Sequence, residues 1–386
     1  MLYDSRSGDL LSLSGQGTAP GKASVDFYKS RGFDEIPTGP GPDAPMSFTV
    51  PGIIAALTSM LERYGTKTLG EVLAPAIHHA EFGFPNYEYM LQRLDSPGTR
   101  EQFDLFPPGG RNIFFDNGNM VAAENASTGN RADGIRAGND AFYKGDIAKS
   151  IVAHSRQVGG ILSEDDLANY EAEYGEPIKS TFMGHEISSH STWTQGIMAL
   201  QILNILECFD LKAMGHNSPA YTHTMLEATK LAFADREVYY GDPNFATAGA
   251  GQAPAHYAHQ LHCSKDGTPV MTVGCPGGDH QAQANVQLML NTLVFGMNAQ
   301  EAVEAPRFAT ESVPDSFYPH VYYPNRVSLE QGYPAQNWDT LRALGHGEFV
   351  QAATCGMGAT IAHRDPQTGV LSAGGDPRRA CYALGW

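Results

Sequence analysis

Gly274-Cys275-Pro276-Gly277-Gly278-Asp279 is the stretch on which the reading of this chain turns. It follows an extended apolar run, Pro269-Val270-Met271-Thr272-Val273, and leads into Gln283-Ala284-Asn285-Val286-Gln287-Leu288-Met289-Leu290, whose spacing is helical. A strand, a glycine turn and a helix N-terminus in that order present backbone N–H groups to one small volume. Glycines let a ligand approach the main chain, and the start of a helix favours negative charge. The layout suits an oxyanion hole, in which the amides of Gly277 and Gly278 would hold the charge of a tetrahedral intermediate. An ordinary strand-to-helix turn has the same local pattern. The rest of the chain has to decide between them.

Outward from the turn, composition sets limits. The 386 residues suffice for two ordinary domains or one large one. A formal net charge of −17, from 25 basic and 42 acidic residues, argues against nucleic acid or an anionic membrane as partner. With 42 Gly and 24 Pro the chain should be rich in turns and ordered loops rather than a helical bundle. Cys208, Cys263, Cys275, Cys355 and Cys381 lie far apart with no C-x-x-C pair, which reads as reduced thiols, not a disulfide framework or a zinc site. No signal-type or membrane-length apolar run is found, so the expectation is a cytoplasmic protein. No motif asks for a cofactor or a metal, and none is expected.

In chain order, Leu2-Tyr3-Asp4 and Asp9 to Leu13 read as a hairpin around Ser7-Gly8, followed by a Gly/Pro-rich loop from Gly15 to Pro45. A domain seldom opens on an apolar edge strand, so further chain upstream is expected. Gly52 to Tyr64 reads as a helix. A second helix carries Leu69, Val72, Leu73, Ala76, Ile77 and Ala80 as one buried stripe and stops at Gly83. His78 and His79 near its end read as dipole or packing partners. Tyr87 to Asn139 is polar and irregular. Order returns at Ala141, with a helix to about Val158 and another opened by Ser163 and the acids Glu164 to Asp166. His185 to Ser189 reads as a strand, Gly196 to Phe209 as an apolar helix, and Ser218-Pro219 as the cap of a helix running to Tyr240. Beyond the central turn come a helix to about Val294, a short one at Ala299–Glu304 capped by Asn298, a helix near Asn337–Leu344, and strands around 358–363 and 370–373. Helices and strands in blocks, without strict β-α-β alternation, point to an α+β fold or a layered sandwich.

Together these segments resemble the γ-glutamyltransferase (glutathione hydrolase) family of N-terminal-nucleophile hydrolases. The matching stretches are Thr49-Val50-Pro51-Gly52, Glu62-Arg63-Tyr64-Gly65, Leu73-Ala74-Pro75-Ala76-Ile77, Gly83-Phe84-Pro85, Phe142-Tyr143-Lys144-Gly145 and Asn204-Ile205-Leu206-Glu207. Lys230 to Arg236, Gly241-Asp242-Pro243, the Pro276–Asp279 turn and Phe295 to Phe308 continue the match in the family's order. The Gly-Gly-Asp ending, Ser316-Phe317-Tyr318-Pro319, Arg364-Asp365-Pro366 and Asp376-Pro377-Arg378 look like a branch acting on other amides. His256-Tyr257 stands where that branch carries a His-Thr pair, which makes His256, with Asp279, a candidate substrate contact. The resemblance implies an αββα layered sandwich, self-cleavage into two subunits, a link to glutathione metabolism, and a threonine whose own α-amino group takes its hydroxyl proton. It divides the chain into a large-subunit-like region, 1–245, and a small-subunit-like region, 246–386.

The sequence departs from that pattern in two places. The family's Thr-Thr-His or Thr-Val-His run should lie between Asp242 and Pro254, where Thr247, between Ala246 and Ala248, is the only threonine. Two inner strands would be lost with that run, so the expected sandwich has incomplete central sheets. Gln16 stands where glutamyl-specific members place an arginine, and a neutral amide cannot replace a bidentate guanidinium at a carboxylate. Two readings stay open: an amide hydrolase or acyltransferase on a small amide or peptide, not strictly γ-glutamyl, and a non-catalytic remnant that binds or scaffolds. Neither calls for nucleic acid or membrane, and a homo-oligomer is compatible with both.

Overall fold

Two aspartates and a glycine close the first hairpin. β1 (Leu2–Asp4) pairs antiparallel with β2 (Asp9–Ser14), Asp4 opposite Asp9, and Gly8 takes the turn at φ +81. The structure is a computed structural model, and its description covers residues 1–37, 41–83, 96–97, 131–242, 260–317, 319–356, 358–379 and 381–383. These divide into two compact units, Leu13–Tyr174 and Met1–Ser12 with Gly175–Trp386. The division expected at 245/246 falls outside the described residues.

The first of these units is helical. The loop expected from Gly15 to Pro45 contains a short helix, α1 (Val25–Lys29), because Ser24 accepts from the Phe27 amide and caps it. α2 (Ile53–Tyr64) and α3 (Leu69–Phe82) lie where expected, α3 opened by a Thr68–Glu71 capping box and stopped by Gly83 at φ +82. The burial expected for α3 is not found. None of its residues is buried, and Val72 is 44% exposed. An apolar stripe is buried only where another element covers it; Gly138 packs on Leu69 at the start of α3, and every residue of the stripe stays at least partly exposed. α4 (Arg131–Tyr143) begins ten residues before the order expected at Ala141. It was illegible because its apolar face is sparse; Arg131 compensates by donating to the carbonyls of Lys67 and Gly65 at 2.8 Å each. α5 (Asp146–Gln157) and α6 (Glu164–Ala168) follow, α6 capped by Ser163. Val50, Ala55, Tyr143, Ala148, Val152, Leu162 and Leu167 form this unit's core. The Ala55 amide donates to the Tyr143 hydroxyl at 3.1 Å, which donates to the Pro51 carbonyl. A Cβ on Gly52 would overlap the Tyr170 hydroxyl and the Gly15 carbonyl, which explains the glycine of the Thr49–Gly52 stretch.

The other unit holds most of the strands. After β3 (Glu173–Gly175) come β4 (Ile178–Phe182) and β5 (His185–Ser189), then α7 (Gly196–Leu206), α8 (Leu211–Met214) and α9 (Pro219–Tyr239), the last started by Ser218 and Pro219 as expected. β6 (Gln260–Lys265) and β7 (Thr268–Gly274) precede α10 (His280–Leu293) and α11 (Ala299–Glu304). β8 (Phe308–Thr310), β9 (Arg326–Glu330), α12 (Trp338–Ala343), β10 (Glu348–Ala352), β11 (Thr360–Arg364) and β12 (Leu371–Gly375) complete it. The main sheet has the order β12-β11-β7-β6-β5-β4 with antiparallel neighbours throughout. A second sheet runs β10-β9-β8. No described helix is long and apolar enough to cross a membrane.

α10 is buried along eleven residues, five of them Gln or Asn. Gln283 and Gln287, one turn apart on the same face, explain how polar side chains are accommodated there. The Gln283 side-chain amide donates to the Thr310 carbonyl at 3.1 Å and accepts from the Thr310 amide at 2.8 Å. Gln287 does the same with Phe308, at 2.8 and 3.2 Å. The two side chains thus satisfy the edge of β8 as a neighbouring strand would.

Candidate active site

β7 ends at Gly274, where Gln260 of β6 pairs on one side and Thr360 of β11 on the other. The chain then turns through Cys275–Asp279 into α10. Gly277 has φ +138 and Gly278 φ +56, both in the region that favours glycine. Their carbonyls accept from the amides of His280 and Gln281, at 3.2 and 3.0 Å, the first bonds of the helix. Among the described residues, neither the Gly277 nor the Gly278 amide donates a hydrogen bond. The two expected donors are therefore available where a helix begins.

Asp279 holds the turn in place. Its Oδ1 accepts from Gln195 Nε2 at 2.7 Å, from Arg236 Nη1 at 2.6 Å and from the Ser316 hydroxyl, and its Oδ2 accepts from the Ser316 amide at 2.9 Å. Arg236 is fully buried, with Nη2 on the Pro314 carbonyl at 2.6 Å and its guanidinium over the Phe233 ring. A carboxylate in this many charge-assisted bonds is fixed more firmly than a neutral cap would be. Expected as a substrate contact, Asp279 has both oxygens taken by protein donors and acts on the turn itself.

Three segments converge to make this brace, each for a local reason. Gln195 precedes α7, and Gly196 lets that helix start against β5, since a Cβ there would overlap Ser189 Oγ. Arg236 lies in the last turn of α9. Ser316 arrives with Phe317, whose ring lies over Gly278, 2.7 Å from where a Cβ would stand.

Two titratable groups flank the turn. Burial pushes the Cys275 thiol up to about 12, and its Sγ faces the Gln281 carbonyl at 3.8 Å. Burial that keeps a thiol protonated works against its acting as a nucleophile. All five cysteines are free. Burial pulls the pKa of His280 down against the opposite influence of Glu311, Asp279, Asp315 and Glu330, so its imidazole is neutral at pH 7.

The structure thus brings together Gly277, Gly278 and Asp279. His256 and Thr247 lie outside the described residues. Gln16 belongs to the helical unit, where its carbonyl accepts from the Tyr170 hydroxyl. Sequence reading missed Gln195, Arg236, Ser316 and His280 as neighbours of the turn. Arg236 and Ser316 stand inside stretches already matched to the family; Gln195 carried no such signal.

Known proteins give this geometry a context. A family model described as gamma-glutamyltranspeptidase matches residues 1–260 and 248–386. The chain is similar to the glutathione hydrolase proenzyme of Escherichia coli, 24% identical over 497 residues, covering 98% of this chain and 82% of that protein. That span exceeds the 386 residues here, so the relative carries residues with no counterpart. The acylase ACY 1 proenzyme of a Pseudomonas strain is 33% identical over 252 residues, covering 59% of this chain and 42% of the acylase. Among solved structures, cephalosporin acylase from Bacillus halodurans superposes with a TM-score of 0.75 at 24% identity, covering 98% of this chain and 86% of the other. That likeness is one of fold. A family match that runs from end to end, around a glycine turn braced as described, leads to one conclusion: this chain belongs to the gamma-glutamyltranspeptidase family.

Proposed function

We propose that the chain is an amide hydrolase or acyltransferase in which the Gly277 and Gly278 amides hold the oxyanion. The observation behind this reading is the turn itself, fixed through Asp279 and presenting two glycine amides with no acceptor among the described residues. An acyl carbonyl placed against it would gain negative charge as a hydroxyl attacks, and donors already in position stabilise that charge without reorganising. The leaving amine departs with a proton. The family resemblance supplies a threonine for the attack, with its own α-amino group as base; no residue of this chain is assigned that role. The layered αββα arrangement with reduced sheets, and subunits divided near 245/246, belong to the same proposal. So does the substrate: Gln16 in place of an arginine favours a small amide or peptide whose acyl group is not γ-glutamyl, in keeping with the acylase among the relatives.

A catalytically silent binding protein is the second reading. The observation in its favour is the excess of the 497-residue alignment over this chain, together with the lack of a Thr-Thr-His or Thr-Val-His run between Asp242 and Pro254.

Intact mass and turnover separate the two. The catalytic reading expects two fragments, hydrolysis of a neutral acyl anilide faster than of the γ-glutamyl anilide, and sensitivity at Gly278. Gly278→Ala keeps the amide but drives a Cβ toward Phe317 Cε2, 2.7 Å away, and strains φ +56. The misplaced donor should lower kcat by roughly 10²-fold with little change in KM, and Phe317→Ala in the same chain should recover part of the loss. A single uncut chain of 41.6 kDa without turnover would leave the silent reading standing.

A further inference from the structure

We propose that His223, Glu227 and His346 form a binding site for a divalent transition-metal ion of the zinc class. One ligand atom from each lies within 4.8 Å of the others. His223 and Glu227 stand four residues apart in α9, which puts both on one face of the helix. His346 comes from the short connection between α12 and β10. Its amide donates to the Leu341 carbonyl at 3.1 Å, and Gly345 before it takes φ +99, so a tight turn fixes the residue. The imidazole is buried and directs Nε2 at His223 Nδ1, 3.0 Å away.

Two imidazole nitrogens this close can share one proton or one metal ion. Tetrahedral zinc with bonds of about 2.0–2.1 Å sets its nitrogen ligands a little over 3 Å apart, so a small outward movement of either ring would admit the ion. Two histidines and a glutamate are a donor set that zinc takes with one position left for water. Glu227, with a side chain 47% exposed, marks the side from which an ion would enter.

Two features limit the affinity. Lys230 pairs with Glu227 at 2.7 Å, so an incoming cation has to displace its ammonium; the Lys230 side chain is 23% exposed and can swing toward solvent. His346 Nδ1 is buried without a hydrogen-bond partner. Ligating histidines normally donate that outer N–H, and lack of the acceptor weakens binding by roughly 10–100-fold. Affinity on the order of micromolar is therefore expected, not the tighter binding of closed structural sites.

The site would not enter the chemistry at the glycine turn. His223 and Arg236 are thirteen residues apart in α9, about 20 Å along the helix. Its effect would be to tie α9 to the α12–β10 connection, two segments that meet only in the folded chain. Such binding stabilises the fold as ligand rises above Kd.

The test is titration of the chelator-treated full chain with zinc, read by calorimetry and by thermal unfolding, with cobalt as a spectroscopic probe. One equivalent should bind, the unfolding temperature should rise with zinc, and cobalt should give the intense visible absorption of tetrahedral coordination. His223→Gln and Glu227→Gln, at positions exposed enough to leave the fold intact, should each weaken binding at least tenfold, while Lys230→Gln should tighten it by roughly tenfold by removing the competing ammonium. Absence of saturable binding in both the unaltered chain and Lys230→Gln would overturn the proposal. So would an affinity in both His223→Gln and Glu227→Gln equal to that of the unaltered chain, which would place the ion elsewhere and leave the two rings as a hydrogen-bonded pair.

Discussion

α3 and α10 are both fourteen residues long, and their sequences invite opposite expectations. α3 carries an apolar stripe and has no buried residue. α10 carries Gln281, Gln283, Asn285, Gln287 and Asn291, and all five are buried. Amphipathic spacing states which face could be covered; it does not state whether a partner arrives. For Gln283 and Gln287 the partner is β8, whose backbone polar groups need acceptors and donors that Leu or Val could not provide, and Asn291 donates to the Ala302 carbonyl. A buried glutamine is stable when its amide meets a peptide group edge to edge, and costly when it does not.

The comparison can be broken at several places. The largest effect is expected at the N-terminus of α10. Asp279→Ala takes from the fully buried Arg236 one of its two carboxylate partners, leaving Glu237, and also removes the acceptor of Gln195 and Ser316; it should cost about 3–5 kcal/mol, read from the urea midpoint. A change below 1 kcal/mol would mean that the brace is not needed to hold the turn. Next comes Gln287→Ala, which leaves the Phe308 amide and carbonyl without partners and should cost about 2–4 kcal/mol. A near-neutral result would show that water replaces the side chain.

Acid should also act on α10 in preference to α3. Burial lowers the pKa of His280 from 6.5, so the unfolded chain takes up the proton first. Its contribution to stability is whole above about 6.5, begins to fall as pH drops through that value, and is lost below the folded pKa. His280→Gln should flatten this part of the stability–pH curve; an unchanged slope would assign it to other groups. On α3, Val72→Ser should shift stability by no more than about 0.5 kcal/mol. A larger loss would reveal a cover over the helix that the described residues do not supply.

The strand, the glycine turn and the helix after it could be read before the fold. Gly277 and Gly278 were identified from a strand, a turn and a helix in succession, and the structure keeps their amides free of partners among the described residues. Asp279 was identified too, but for contact with substrate, because sequence cannot show that Gln195, Arg236 and Ser316 close around it. Those three come from positions 84, 43 and 37 residues away. No local pattern encodes such distances, and only the Arg236 and Ser316 stretches carried a family signal.

By itself the sequence determined the local features: where Ser163, Ser218 and Asn298 start helices, where Gly83 ends one, where Gly8 turns a hairpin, and which family the chain resembles. Each depends on hydrogen bonds and backbone angles within a few residues, so local identity suffices. Tertiary structure alone decided that α3 has no buried residue, that α10 buries Gln283 and Gln287 against β8, and that His346 meets His223 across 123 positions. Burial and pairing between distant segments are properties of the whole packed chain, in which each group's surroundings are supplied by residues that its own neighbourhood does not specify.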